Sequence, residues 1–219
     1  MSNGNWNMIL SFNFYYAHPG QEDSVLKQRL RASDVRESIR VPRGRVLART
    51  AGDSDLPDVI WEHHFEDVAG HHADMAVRAA SPEFEAIRAG MRKLCRRFER
   101  PLFEICAATA AALTVPVPLA RVVTLDWIFC APSFAANALA VLDQHAKLYA
   151  QQGFDRGRLL RLITPGDDLP QLVWQHEHEN AASHERIQAE IASHTELQAW
   201  PSAIKALAQS VERSVWKVA

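Results

Sequence analysis

Asp55-Leu56-Pro57-Asp58-Val59-Ile60-Trp61-Glu62-His63 and Asp168-Leu169-Pro170-Gln171-Leu172-Val173-Trp174-Gln175-His176 carry one pattern twice, at an offset of 168 − 55 = 113 residues. The offset holds without a gap in both directions. Arg43-Gly44-Arg45 meets Arg156-Gly157-Arg158, Pro19 meets Pro132, His71 meets His184, and Glu99-Arg100 meets Glu212-Arg213. A constant shift from about residue 9 to the last residues is the signature of a tandem duplication, and it has to be recognised before any motif is read.

Each copy reads β-α-β-β-α-β. The first strand is Met8 to Ala17, matched by Val122 to Cys130, both rich in aromatic and β-branched residues and both followed closely by a proline. Helical spacing follows over Gln21 to Ile39 and Phe134 to Gln152, then a short strand after the Arg-Gly-Arg turn and a third strand through Trp61 or Trp174. The segments Ala69 to Phe98 and Ala182 to Val211 read as long helices broken at Ser81-Pro82 and near His194-Thr195, because proline suits the first turn of a renewed helix. The closing strands are expected at Pro101 to Ile105 and Ser214 to Val218. The domain organisation is therefore a first repeat over 1–106, an Ala/Pro linker over 107–121 and a second repeat over 122–219.

Two helices on one face of a four-stranded sheet leave the other face to be covered. The apolar stripes Leu10, Phe12, Phe14, Tyr16 and Val123, Leu125, Trp127, Phe129 suit the helix side. On this reading Ser11, Asn13, Tyr15 and Thr124, Asp126, Ile128 line the second face, together with Glu62, His64 and their counterparts. A second face of mixed polarity, packed against its duplicate, makes a lined pocket rather than a dry core.

The order of elements, the strand ending Phe65-Glu66-Asp67, and the helical run with His71, His72 and Ser81-Pro82-Glu83-Phe84 resemble the dimeric α+β barrel superfamily. That superfamily includes antibiotic-biosynthesis monooxygenases, muconolactone isomerase-like proteins, stress-responsive barrel proteins and the haem-binding chlorite dismutase group. The resemblance covers nearly the whole chain and implies an α+β fold: two tandem ferredoxin-like βαββαβ repeats packed sheet to sheet as a pseudo-dimeric α+β barrel. It implies a fold more than a reaction.

The totals restrict function further. With 24 basic against 26 acidic residues among 219, there is no broad case for nucleic acid or anionic lipid. The cluster Arg92, Lys93, Arg96, Arg97, Arg100 reads as a solvated helix face, since aromatic interleaving of a basic groove is lacking. Three cysteines without close spacing argue against disulfides and structural zinc, and the first residues carry no secretory signal, so a cytoplasmic location is expected. Neither a Gly-x-Ser-x-Gly nor a phosphate-loop pattern occurs.

Candidate chemistry comes from positions where the two copies differ. His64 is the first choice for a catalytic acid-base group, with Glu62, Asp126 and Glu177 to orient it or share the proton. Asn13, Tyr15, Arg161 and Gln175 are the candidate substrate contacts, Arg161 for a substrate carboxylate. Ten histidines raise the question of a metal, but His63-His64, His71-His72 and His176-Glu177-His178 meet no familiar ligand pattern; no cofactor is expected, with a divalent metal or haem as the minor alternative. The expectation is a cofactor-independent enzyme of lyase or isomerase type acting on a small, partly aromatic molecule. Cofactor-free oxygen insertion is the near alternative and a non-catalytic binding or assembly protein the further one. The expected partner is a small-molecule substrate, with no nucleic acid and no membrane, and with room for a homodimer through sheet edges.

Overall fold

The computed structural model of the chain describes residues 8–106, 121–166 and 168–219. It divides into two compact units. One comprises the described residues up to Arg49, Ser54–Phe103 and Ala219; the other comprises Thr50–Asp53 and the described residues from Glu104 to Val218. Apart from Arg121, the expected linker lies outside the described residues.

In the first unit the order is β1 (Ile9–Ala17), α1 (Glu22–Ser38), β2 (Arg45–Ala51), β3 (Val59–Phe65), α2 (Val68–Ala79), α3 (Pro82–Leu94) and β4 (Cys95–Glu99), with β5 (Leu102–Ile105) following. The antiparallel strands lie in the order β2-β3-β1-β4. Local chemistry sets the helix boundaries. Glu22 and Asp23 occupy the first turn of α1 and Arg36 its last, matching the helix dipole, and the chain leaves through Arg40 at φ 62°. The Asp67 carboxylate accepts from the Gly70 amide at 2.7 Å to start α2, and Ser81 accepts from the Phe84 amide at 3.2 Å to start α3, with Pro82 in its first turn.

The second unit runs β6 (Val122–Phe129), α4 (Ala135–Gln151), β7 (Arg158–Leu162), β8 (Leu172–His178), α5 (Ala181–Ala192), α6 (Trp200–Ile204) and β9 (Ser210–Val218), in the strand order β7-β8-β6-β9. Its registers repeat those of the first unit at the same offset: Ile9 faces Phe65 as Val122 faces His178, Arg45 faces Glu62 as Arg158 faces Gln175, and Phe14 faces Glu99 as Trp127 faces Glu212. The Arg-Gly-Arg turns repeat as well. Gly44 (φ 69°) and Gly157 (φ 67°) are left-handed, and each turn presents a carbonyl to an indole: Trp61 Nε1 donates to Arg43 O at 2.9 Å and Trp174 Nε1 to Arg156 O at 2.8 Å.

Two expectations are corrected. The strand closing the first repeat is Cys95–Glu99, paired with β1, so α3 ends before Phe98 and Leu102–Ile105 is an additional strand. The faces are also exchanged. Tyr15, Val59, Trp61 and Phe65 pack with Val25 and Met91 of the helices, so odd-numbered Ser11, Asn13 and Tyr15 face α1 and α3, whereas Leu10, Phe12 and Phe14 lie on the opposite face. In the second unit Ile128 and Trp174 pack with Leu142 and Trp200, which puts Thr124 and Asp126 on the helix side. Alternation misleads here because both faces are buried: Leu10, Phe12 and Phe14 are as inaccessible as the helix-facing residues.

Candidate functional site

The consequence of that face exchange is a cavity of about 180 Å³ in the first unit, between the odd-numbered face of β1 and helices α1 and α3. One wall is apolar, made by Phe84, Ile87 and Met91 of α3 with Phe98 of β4. The Tyr15 ring lies 5.0 Å from that of Phe98, and the Tyr15 hydroxyl accepts from Asn13 Nδ2 at 3.4 Å. The same elements and their neighbours also make the lining cationic. Arg29 comes from α1, Arg78 from α2, Arg88 and Arg92 from α3, Arg96 and Arg97 from β4, and Arg100 follows. No aspartate, glutamate or histidine lines the cavity.

Several of these cations are paired with acids outside the lining, Arg97 with Glu99 among them. Asp74, buried, takes Arg36 (2.6 and 3.3 Å) and Arg78 (2.7 Å) together. Glu85 serves both Arg88 and Arg92. Arg29 is 2% exposed. Its contacts are to neutral groups: Ser33 Oγ at 3.1 Å, the Tyr15 hydroxyl at 3.5 Å and the Trp61 ring at 5.2 Å, and its Nε has no hydrogen-bond partner. The Arg100 guanidinium lies 4.6 Å over the Phe98 ring, and its Nε is likewise buried without a partner. Burial lowers the proton affinity of Arg29 first; Tyr15 opposes this, and the neighbouring cations Arg78 and Arg43 lower it further. The same causes act on Arg100, with Arg88, Arg78 and Arg92 as the neighbours. Cys95, which also lines the cavity, is pushed up to about 11 by burial and by Asp58, so its sulfur stays a thiol at neutral pH.

The residues singled out from sequence are distributed over both faces. Asn13 and Tyr15 line this cavity, whereas His64, opposite Leu10 in the β1–β3 register, and Glu62 lie on the other face of the same sheet. Glu62 is buried and accepts from Arg45 Nε at 2.6 Å. In the second unit Glu177 is paired with Arg158, Arg161 with Glu104, and Gln175 is fully buried. Asp126 accepts from Arg213 Nε at 2.6 Å and Nη2 at 3.0 Å; burial nevertheless raises the carboxyl's proton affinity, the guanidinium opposing it. Within the first unit Asn13 and Tyr15 thus lie on the face opposite His64 and Glu62, and within the second Asp126 lies on the face opposite Gln175 and Glu177. Sequence reading missed Arg29, Arg78 and Arg88; Arg92, Arg96 and Arg97 are exposed, as expected of a solvated face, but with half-buried Arg100 they also line the cavity. Arg96 and Arg97 are in a strand and Arg92 in a helix, and the cavity lies between those elements. The available signal was Arg29 itself, an arginine between the apolar residues Val25 and Ala32 on the buried face of α1.

Among the described residues no group of three or more metal-ligating side chains comes together. A haem would need an axial donor facing a space wide enough for the macrocycle. His176 and His178 line a space of about 30 Å³ that shares Tyr149, Ile191 and Arg213 with a cavity of about 380 Å³ in the same unit; neither that cavity nor the one in the first unit is lined by a histidine. No helix among the described residues is long and apolar enough to cross a membrane.

No protein-family profile and no characterised protein matches the chain in sequence. Solved structures do match. An anthrone oxidase-like protein superposes on 100% of this chain and 94% of its own with a TM-score of 0.69 at 12% identity. A protein from Fusobacterium nucleatum assigned as a monooxygenase matches 98% of this chain and 93% of its own at 0.63 and 9%. A protein assigned as a chlorite dismutase matches 97% and 95% at 0.54 and 12%. The fold is that of the dimeric α+β barrel proteins. At these identities the likeness establishes architecture alone, and chemistry has to be argued from the cavity.

Proposed function

We propose that the chain is a small-molecule oxidising enzyme of the monooxygenase type, built from two duplicated units and carrying its active cavity in the first. The observation that carries this reading is the cavity itself: an apolar slot closed at one end by Asn13, Tyr15 and buried Arg29, with no imidazole or carboxylate in its lining. Such a lining is poorly equipped for proton transfer by histidine or carboxylate, and it strongly favours the ionised form of an acidic substrate. A phenol bound there is shifted towards its phenolate, the form that surrenders electrons to dioxygen. In the net reaction the phenol loses two hydrogens and gains one oxygen atom to become a quinone. The second oxygen atom leaves as water, and all four electrons come from the ring. The names of two matched structures, an anthrone oxidase-like protein and a protein assigned as a monooxygenase, support oxygen chemistry over isomerisation.

The test is aerobic incubation with a panel of phenols in labelled dioxygen, following oxygen uptake and product mass. One labelled atom in the quinone, lost when Phe84→Trp fills the slot and retained in His64→Ala, is the expected outcome. Turnover that survives Phe84→Trp but collapses in folded His64→Ala would move the chemistry to the opposite face of the sheet and restore an acid-base mechanism. Absence of oxygen uptake with every phenol would remove the oxidising reading.

A further inference from the structure

We propose that the cavity of the first unit selects a monocyclic aromatic carboxylate, with the carboxylate anchored by Arg29 and Arg100. The proposal rests on the reading above for its location and adds the chemical class of the ligand. Burying a guanidinium without a carboxylate is costly, and proteins rarely do so unless something supplies the missing charge. Arg29 is such a group: 2% exposed, lining the cavity, with one good hydrogen bond to a hydroxyl and an idle Nε. Arg100 brings a second buried and idle Nε to the same space. A planar carboxylate matches the guanidinium fork and would satisfy both.

The second unit supplies the internal comparison. At the 113-residue offset Arg29 becomes Leu142, Arg78 becomes Ile191, Arg88 becomes Pro201, and Asn13 becomes Asp126, while Arg100 becomes Arg213. Leu142 is fully buried in the core, and Asp126 holds Arg213 through two hydrogen bonds. The protein's own acid thus sits in the second unit where, in the first, an amide leaves Arg29 and Arg100 to an outside acid. The second unit has a cavity at the corresponding place, of about 380 Å³ and lined by Asp126 and Arg213, but its cation is already paired, so one anion site per chain follows.

Size narrows the class. A cavity of about 150 Å³ is known to accept benzene, and this one is about 180 Å³, which suits one ring and a substituent better than a fused tricycle. The ring would lie against Phe84, Ile87 and Phe98, with a ring hydroxyl left to the other arginines of the lining, which would favour its phenolate while Arg29 and Arg100 hold the carboxylate.

The experiment is calorimetric titration of the full chain with benzoate and 4-hydroxybenzoate, beside benzamide and 4-hydroxybenzamide as uncharged isosteres, at low and high salt. The acids should bind about 30-fold more tightly than the amides, as expected for a charge-assisted bidentate contact, with a stoichiometry of one. Arg29→Met should erase the preference. Asn13→Asp, which places a carboxylate where the second unit already has one, should erase it too, while Arg213→Met in the second unit should leave it intact. Circular dichroism and thermal melting establish that each variant is folded, and the two site variants fail folding by unrelated routes. Equal binding of acid and amide, or an acid preference that survives Arg29→Met, overturns the proposal and leaves the cavity as a binding site for neutral phenols. Binding of neither acid nor amide removes both the carboxylate proposal and the cavity on which it rests.

Discussion

Replacing Arg29 by methionine should make the unliganded protein more stable, a result opposite to that expected of most core substitutions. The guanidinium is 2% exposed and no described carboxylate pairs with it. Desolvating an unpaired ion costs several kcal/mol even after relaxation. Against this stand a 3.1 Å hydrogen bond to Ser33 Oγ, a marginal 3.5 Å contact to the Tyr15 hydroxyl and a 5.2 Å approach to the Trp61 ring. Together these are worth about 2–3 kcal/mol. Methionine has nearly the same volume, so little cavity is left, and Ser33 can turn its hydroxyl to the carbonyl one turn earlier, that of Arg29 itself. The balance favours the variant by about 1–2 kcal/mol, or roughly 2–8 °C in melting temperature for a chain of this size. Scanning calorimetry with and without benzoate reads both halves of the argument: the variant should melt higher than wild type alone, and only wild type should gain stability from the acid. A variant that melts several degrees lower would make Arg29 a structural tie and refute the reasoning from uncompensated charge.

Asp74→Asn should cost about 3–5 kcal/mol, because one buried carboxylate holds both Arg36 and Arg78 and its loss strands two cations; urea unfolding measures it, and a loss below 1 kcal/mol would mean that water reaches the pair. Gly157→Ala should cost more than about 2 kcal/mol, since its φ of 67° disfavours any side chain and a Cβ would lie 2.6 Å from Trp174 Nε1. Gly20→Ala, at a similar φ of 77° but in open space, should cost only about 1 kcal/mol, and equal losses would discount the indole contact. Burial depresses His63 and His178 to about 4 and His176 to about 3, so these rings are neutral in the fold and take up protons on unfolding. The unfolded chain therefore binds more protons between about pH 4 and the ordinary histidine value near 6.5, and stability falls as pH is lowered through that window. The slope reaches up to about 1.4 kcal/mol per pH unit for each histidine. Urea midpoints at pH 7.5, 6 and 5 check it, and a flat profile down to pH 5 would show that the rings are protonated in the native state.

The architecture was legible because the residues that specify it act locally. Gly44 and Gly157 are demanded by left-handed turns, Trp61 and Trp174 by the carbonyls those turns present, and Ser81-Pro82 by the start of a helix, so each leaves a mark at a fixed position in both copies. The site was not legible for the opposite reason. Which face of a strand meets the helices depends on what covers the other face, and a strand with Leu10, Phe12 and Phe14 on one side and Ile9, Tyr15 and Ala17 on the other is apolar on both. Once the face was exchanged, His64 and Glu62 parted from Asn13 and Tyr15, and no choice of chemistry could have reunited them.

The reading of charge stopped short on the same ground. Composition counts every arginine alike, yet Arg45 with Glu62 and Arg213 with Asp126 are internally balanced, whereas Arg29 becomes conspicuous only when its neighbours in space are known. The position-by-position match between the two units converts that observation into an argument about function. Two copies share turns, registers and indole contacts, so the shared features serve the fold. The place where one copy has Leu142 and Asp126 while the other has Arg29 and Asn13 is where the fold permitted either choice. The costly choice was made in the copy that has a cavity lined by no internal acid. A buried cation retained against its own destabilising effect is what a binding site for an anion looks like before the anion arrives.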